Sequence, residues 1–178
     1  MRWKNGGGMT CEIMRMPPDS SLENFDWRVS VATVHQGGAF SAFPGMDRSL
    51  AILEGKGLKL DIGGQSQPLT PRDAILRFDG ETVVHSELIA GGIVDFNVMT
   101  RRASYTHAVE RLTVIQHTTL PLNADVVLIY LVNGNCRLAD GSSLHAGDAV
   151  TFDATETRCV LDAGAAELML VRLYRQTT

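Results

Sequence analysis

The sequence predicts an all-β protein, built as a sandwich or barrel of short strands. Apolar and polar residues alternate with a period of two in many windows, which is the pattern of a half-buried strand. No window of a dozen residues carries a capped apolar stripe with helical period. Clusters of glycine, proline and asparagine separate the alternating stretches, as is typical of all-β domains.

The alternation indicates which segments of the chain form strands. In the segment 27–33, Trp27 and two valines share one face, with Arg28 and Ser30 on the other. In the segment 58–62, three aliphatic side chains are expected to face the interior, and Lys59 and Asp61 to face water. The other predicted strands span residues 11–16, 50–53, 74–78, 93–101, 112–117, 126–132, 149–152, 158–161 and 167–174. The best helix candidate, 20–25, would form only one or two turns.

The composition is that of a globular protein and excludes several partner classes. The 178 residues are 44% apolar, and 16 basic against 20 acidic side chains give a net charge of −4. Scattered basic residues argue against nucleic acid as a partner. The longest apolar run, 126–132, is far shorter than the roughly 20 residues that cross a bilayer. Three cysteines without zinc or disulfide spacing favour a reducing compartment. We therefore expect a cytoplasmic protein that does not bind membranes.

An internal repeat indicates two copies of one β module. Residues 52–60 (ILEGKGLKL) resemble residues 130–138 (YLVNGNCRL), since each has an apolar strand, a tight turn and an alternating strand. Downstream of each copy, residues 72–79 (RDAILRFD) resemble residues 147–153 (GDAVTFD). Two copies are the simplest interpretation. The alternative is the chance likeness of two generic hairpins.

The repeated hairpin resembles that of the cupins, with ILEGKG at 52–57 and GDAV at 147–150. Four blocks are similar, in order and spacing, to the HutD/Ves family of bacterial proteins: RWKNGGG at 2–8, WRVS at 27–30, GAFSAFPGMDR at 38–48 and DFNVMTRR at 95–102. The resemblance implies a bicupin, with two cupin-type β-barrel or jelly-roll halves at about 1–105 and 106–178. For the HutD branch it implies a role beside histidine degradation, where regulation is usually proposed. The Ves branch is associated with stress and cold, and both branches remain open.

Metal and nucleophile chemistry are not predicted. Most catalytic cupins hold a metal with two histidines at i and i+2, a glutamate and a later histidine. On that pattern Pro44 falls near the histidine pair, Arg48 near the glutamate, and Val83 and Arg158 near the later histidine of the two halves. None of these side chains donates a lone pair to a cation. Ser41 has no GxSxG context. We expect no metal and no other cofactor, and assign no catalytic residue.

The segment 93–101 carries an unusual face. Asp95, Asn97, Met99 and Arg101 alternate with three apolar residues. In one interpretation this polar side faces water, as one side of an antiparallel sheet commonly does. In the other, it lines a barrel mouth, where Arg101 or Arg102 offers a two-donor fork to a carboxylate and Asn97 supplies an amide.

Arg48 is a second candidate, at the end of the FPGMDR turn. Arg48 either pairs with a carboxylate such as Asp95 or Glu87, or contacts a ligand. The nearby Phe40 and Phe43 either form an apolar wall of the ligand site or belong to the core. The predicted ligand-binding set is Phe40, Ser41, Arg48, Asn97, Met99, Arg101 and Arg102.

These residues favour one function over two others. The leading hypothesis is a metal-independent protein that binds a small anionic metabolite, a carboxylate, in an accessory or regulatory role. By resemblance, the ligand would be urocanate or a formyl- or formimino-glutamate. The second hypothesis is an isomerase or hydrolase with Asp95 or Glu87 as general base beside Arg101. The third is a stress-related interaction protein. A homodimer would cover exposed sheet edges.

Overall fold

The structure is a computed structural model that describes residues 1–3 and 6–177. Lys4 and Asn5, which belong to the block at 2–8, lie outside the described residues. Within the described ranges the chain forms strands and turns and no helix, and residues 22–24 of the helix candidate form a turn. The strands are β1 (Gly8–Met16), β2 (Trp27–Val34), β3 (Gly38–Ala39), β4 (Met46–Glu54), β5 (Leu58–Ile62), β6 (Gln65–Leu69), β7 (Leu76–Asp79), β8 (Val84–Leu88), β9 (Ile93–Arg101), β10 (Tyr105–Pro121), β11 (Val126–Asn133), β12 (Asn135–Leu138), β13 (Ser143–His145), β14 (Ala149–Asp153) and β15 (Arg158–Arg175).

The chain divides into two compact units, Met1–Tyr105 and Thr106–Thr178. Unit 1 contains a five-stranded sheet in the order β1-β2-β9-β4-β7 and a four-stranded sheet in the order β3-β8-β5-β6. Its core contains Leu50 and Ile52 from β4, Leu58 and Leu60 from β5, and Val84 from β8. Lys59 and Asp61 are exposed, so the orientation predicted for the segment 58–62 is confirmed.

Unit 2 contains one sheet, in the order β13-β12-β15-β11-β14, to which β10 is added beside β15. Buried aliphatic residues from β11 and β15 fill its core, among them Val127, Ile129, Leu131, Leu161 and Leu168. The two predicted strands 158–161 and 167–174 are one strand, β15, which pairs first with β12 and then with β11.

The repeat in the sequence corresponds to a repeat in strand pairing. In unit 1, β4 lies between β9 and β7, and in unit 2, β11 lies between β15 and β14. The hairpin turns hold Gly57 and Gly134 at φ values of 104° and 84°. An added Cβ would lie 2.3 Å from the Leu69 carbonyl oxygen at Gly57 and 2.4 Å from the Ala165 carbonyl oxygen at Gly134. Both turns therefore require glycine.

The all-β prediction is confirmed, but the expected closed barrels are not found in the strand pairing of the described residues. The sheets of unit 1 end on edge strands, β1 and β7 in one and β3 and β6 in the other. Pro68 lies in β6 and has no N–H to donate, which suits an edge position. In the part of the chain that the structure describes, no helix has the length and apolarity needed to span a membrane.

Candidate functional site

The strand register of unit 1 gathers polar side chains on one face of the five-stranded sheet. Residues that pair directly on neighbouring antiparallel strands share a face. Asn97 of β9 pairs with Ser30, and Met99 of β9 pairs with Arg28 on one side and with Arg48 on the other. Asp95 of β9 lies two residues before Asn97 and shares this face. We call five buried residues of the face the buried polar cluster: Arg28, Ser30, Arg48, Asp95 and Asn97.

Burial distinguishes the two interpretations of the segment 93–101. Asp95 is 6% exposed, Asn97 9% and Met99 4%. The water-facing interpretation is therefore wrong. Leu50 and Ile52, which pair with Asn97 and Asp95, belong to the apolar core of unit 1, so the polar cluster shares the face that carries this core.

Arg48 is a buried charge of the cluster that lies among three aromatic rings. Its guanidinium carbon lies 5.3 Å, 5.5 Å and 5.0 Å from the ring centres of Phe40, Phe43 and Phe78, in cation–π contact. Its Nη1 donates to the backbone oxygen of Ser41 at 3.1 Å. Its Nε is buried and has no hydrogen-bond partner among the described residues. Arg48 thus has a buried donor for which the described residues supply no acceptor.

Electrostatics couple Arg48 to Asp95. Burial lowers the pKa of Arg48 to about 10, the charge of Asp95 opposes this change, and the charge of Arg28 adds to it. Burial raises the pKa of Asp95 to about 7, and the charge of Arg48 opposes that rise. Asp95 is therefore only partly ionised at neutral pH. Glu87, the other carboxylate considered for Arg48, is exposed on β8 opposite Lys59.

Arg28 and Ser30 are buried members that sequence reasoning did not select as site residues. Arg28 donates from Nε to Glu12 Oε2 at 2.7 Å, and Glu12 also pairs with Arg15 at 3.6 Å. The signal was present, because Arg28 and Ser30 were placed together on one strand face. What was missing was the register that pairs this face with Asn97 and Met99.

Arg101 and Arg102 bind partners outside the buried polar cluster. Arg101 donates to the backbone oxygen of Phe25 from Nε at 3.1 Å and from Nη2 at 2.8 Å, and Asp26 lies 3.7 Å away. The guanidinium group of Arg101 thus stabilises the turn that precedes β2. Arg102 is exposed and donates from Nε to Asp47 at 2.8 Å and from Nη1 to Glu81 at 3.1 Å. These partners raise the pKa of Arg102.

The aromatic residues and Met99 occupy defined places near Arg48. Phe40 is half-buried and packs on Phe78 with ring centres 6.4 Å apart. Met99 packs in a separate apolar cluster with Phe25 and Met46. Ser41 is exposed and offers Arg48 its carbonyl.

A cleft of about 420 Å³ lies beside the cluster in unit 1. Its lining includes Ser41, Phe43 and Arg101. Ser41 and Phe43 also contact Arg48, so the cleft and the guanidinium share these two residues. A cleft of this size holds a small metabolite.

A second, more open cleft of about 600 Å³ lies in unit 2. There His117 Nδ1 lies 2.7 Å from Asp162 Oδ1, and both side chains are exposed. Nowhere within residues 1–3 and 6–177 do three or more histidine, cysteine, aspartate or glutamate side chains gather as metal ligands would.

Comparison with known proteins assigns the chain to a family. The family model described as HutD matches residues 1–169. The chain belongs to the HutD family. It is similar to the protein Ves of Escherichia fergusonii, with 32% identity over 162 residues that cover 90% of this chain and 82% of that protein. It is also similar to an uncharacterized 21.2 kDa protein in the hutC 3' region of Pseudomonas putida, with 45% identity over 100 residues. That match covers 56% of this chain and spans about half, 52%, of the relative's length.

Solved structures agree with this HutD assignment and also show a similar fold in more distant proteins. HutD from Pseudomonas fluorescens SBW25, in a formate condition, superposes with a TM-score of 0.85 at 29% identity, covering 99% of this chain and 94% of that one. A cupin 2 conserved barrel domain protein from Leptotrichia buccalis superposes with a TM-score of 0.61 at 11% identity, covering 95% of this chain and 89% of that one. The second likeness identifies the fold as cupin-like and carries no statement about function.

Proposed function

We propose that the protein binds a small carboxylate metabolite, with the ligand's carboxylate at Arg48 and the remainder of the ligand in the adjoining cleft. The observation that carries this proposal is the buried Nε of Arg48, which has no acceptor among the described residues. A carboxylate offers two oxygens in the geometry that a guanidinium recognises.

The charges around Arg48 favour an anion. Glu12 compensates Arg28 at 2.7 Å. The nearby acid for Arg48 is Asp95, whose pKa of about 7 leaves it partly neutral. A buried guanidinium without a full counter-charge is unfavourable, and a bound anion removes that penalty.

We propose that the ligand is an intermediate of histidine breakdown, such as urocanate, formylglutamate or formiminoglutamate. The similarity to HutD of Pseudomonas fluorescens and to a protein of the hutC 3' region supports this assignment. The role would be accessory or regulatory, since recognition by Arg48 requires no reaction.

A thermal-shift screen of the histidine-pathway acids tests this proposal. An acid at 100 times its dissociation constant stabilises the fold by about 2.7 kcal/mol. For a chain of this size, that corresponds to a rise in Tm of roughly 5 to 10 °C. Arg48→Met should remove the rise, while Arg77→Met, an exposed control on the neighbouring strand β7, should keep it. If no acid raises the Tm of the wild-type protein, the proposal fails and an interaction protein like the one proposed for the Ves branch is favoured.

A second candidate function is an isomerase or hydrolase that uses Asp95 as general base. The observation that favours it is the pKa of about 7, because a base works best with a pKa near the working pH. A turnover that disappears in Asp95→Asn while ligand binding is retained would support it.

We also propose that the units 1–105 and 106–178 are the two cupin halves of a bicupin. The equivalent pairing of β9, β4 and β7 in one unit and β15, β11 and β14 in the other supports this division. Expression of 106–178 as a separate, cooperatively folding chain would test it.

A further inference from the structure

A second buried atom of the polar cluster lacks a hydrogen-bond partner among the described residues. It is an acceptor, whereas Arg48 Nε is a donor. Asn97 Oδ1 is buried and has no hydrogen-bond donor among the described residues. Unpaired buried polar atoms are rare in folded proteins, because each loses its hydrogen bonds to water without compensation. The cluster therefore presents one unused donor and one unused acceptor.

The two atoms lie on neighbouring strands and the same sheet face. Asn97 pairs with Leu50 of β4, and Arg48 is the residue two positions before Leu50. Arg48 and Asn97 are therefore diagonal neighbours on paired strands, which share a face and lie roughly 7–8 Å apart. A ligand of a few atoms can span that distance.

A plain carboxylate satisfies only half of this arrangement. Its oxygens accept from Arg48 Nε, but they offer nothing to Asn97 Oδ1, since a carboxylate has no donor. The partner of Asn97 must carry an N–H or O–H group.

The surrounding charges select the kind of donor. An ammonium group would be repelled by Arg28 and Arg48, the two buried guanidinium groups of the cluster. Asp95 could attract an ammonium group only in its ionised form, and burial opposes that form. A neutral N–H, as in an amide, or a hydroxyl group donates without adding positive charge.

We propose that the metabolite bound at Arg48 carries a neutral N–H or O–H group that donates to Asn97 Oδ1, so that the site selects carboxylates with such a donor, for example N-acylated ones, over plain carboxylates and free amino acids. This inference rests on the proposed function and deepens it. A site built to receive an N–H discriminates strongly against an analogue that lacks it, because the buried acceptor is then left unpaired.

The test compares two isosteric acids by titration calorimetry. N-acetylglycine and levulinate differ only in an N–H that is replaced by a CH₂, and alanine provides the ammonium-bearing control. Wild-type protein should bind N-acetylglycine at least about tenfold more tightly than levulinate and should bind alanine more weakly still. Asn97→Leu and Asn97→Ala should bring the first ratio close to one, with folding of each variant checked by its thermal melt.

The outcomes separate this inference from the proposed function. Equal affinity of the wild-type protein for N-acetylglycine and levulinate, both lost in Arg48→Met, overturns the Asn97 assignment and leaves the carboxylate site intact. Tighter binding of alanine than of N-acetylglycine overturns the selection of a neutral donor. If neither N-acetylglycine nor any pathway acid binds, both proposals fail. The wild-type ratio decides the matter even if both Asn97 variants do not fold.

Discussion

Arg48 and Asp95 influence each other's protonation inside unit 1. The carboxylate favours the charged guanidinium, and the guanidinium favours the charged carboxylate, but burial outweighs both effects. The result is a base with a pKa of about 10 and an acid with a pKa of about 7. Near neutral pH the pair therefore carries a net positive charge that varies with pH, and two predictions follow from that variation.

The first prediction concerns stability. The pKa of Asp95 is raised in the folded chain, so between the usual carboxyl pKa and about 7 the folded state binds more protons than the unfolded state. The free energy of unfolding must then fall as pH rises through that window and level off above it. Asp95→Asn does not ionise. The free energy of unfolding of Asp95→Asn minus that of the wild-type protein should therefore increase by up to about 1.4 kcal/mol per pH unit as pH rises through this window.

Denaturant unfolding at pH 4.5, 6, 7.5 and 9 measures this difference. Asp61→Asn, at an exposed position on β5, serves as the control and should show no such growth. A difference between wild type and Asp95→Asn that does not change with pH would show that Asp95 is ionised throughout.

The second prediction concerns binding. As pH rises through about 7, ionised Asp95 compensates the charge of Arg48, and the site loses attraction for an anion. Carboxylate affinity should therefore weaken between pH 6 and pH 8.5, and Asp95→Asn should remove most of this dependence. Calorimetric titrations with one acid across this range measure it. An affinity that strengthens with pH in the wild-type protein would contradict the account.

The third prediction concerns Arg101, whose fork holds the turn before β2. Arg101→Ala removes the hydrogen bonds to the Phe25 oxygen, and loss of this partly exposed side chain should destabilise the fold by about 1 kcal/mol. Amide hydrogen exchange in residues 22–26 should accelerate more than exchange in β5. Arg102→Ala, whose partners are the half-buried Asp47 and the exposed Glu81, is the control and should leave the exchange of this turn unchanged. Unchanged exchange in Arg101→Ala would rule out the positioning role.

The fourth prediction concerns the hairpin glycines. Gly57→Ala places a Cβ 2.3 Å from the Leu69 carbonyl oxygen, whereas Gly63→Ala, also at positive φ, meets nothing within 4 Å. Left-handed backbone strain alone costs about 1–2 kcal/mol. Gly57→Ala should therefore lower the free energy of unfolding clearly more than Gly63→Ala does. Equal losses in chemical denaturation would mean that the close approach is relieved by a small shift of the turn.

The sequence predicted many of the strands whose side chains alternate, and two of the strands that it missed carry no such signal. β6 is QSQPL, and four of its five residues are exposed, so no apolar pattern marks it. β3 has two residues and is defined by its pairing with β8. The long strand β15 was divided in two, because residues 162–166 (DAGAA) interrupt the large apolar residues although their backbone continues the strand.

Only part of the candidate site was predicted, because the sequence shows patterns within one segment and does not show which segments pair. Arg48 was selected from the FPGMDR turn and Asn97 from its strand, and the unusual polar face of the segment 93–101 was recognised. Arg28 could not be selected, because its neighbours come from a pairing of residues about 70 positions apart, and one sequence does not reveal register. The ligand role of Arg101 stays a prediction, and its hydrogen bonds to the Phe25 oxygen could not be predicted, because they join residues 76 positions apart.

The central claim is that Arg48 binds a carboxylate, and a crystal structure of the protein with the acid that stabilises it most tests this directly. The account predicts a carboxylate oxygen within hydrogen-bond distance of Arg48 Nε, with the rest of the molecule directed past Phe43 into the cleft. A ligand bound in the cleft of unit 2, or at Arg101 with Arg48 Nε still unpaired, would contradict it.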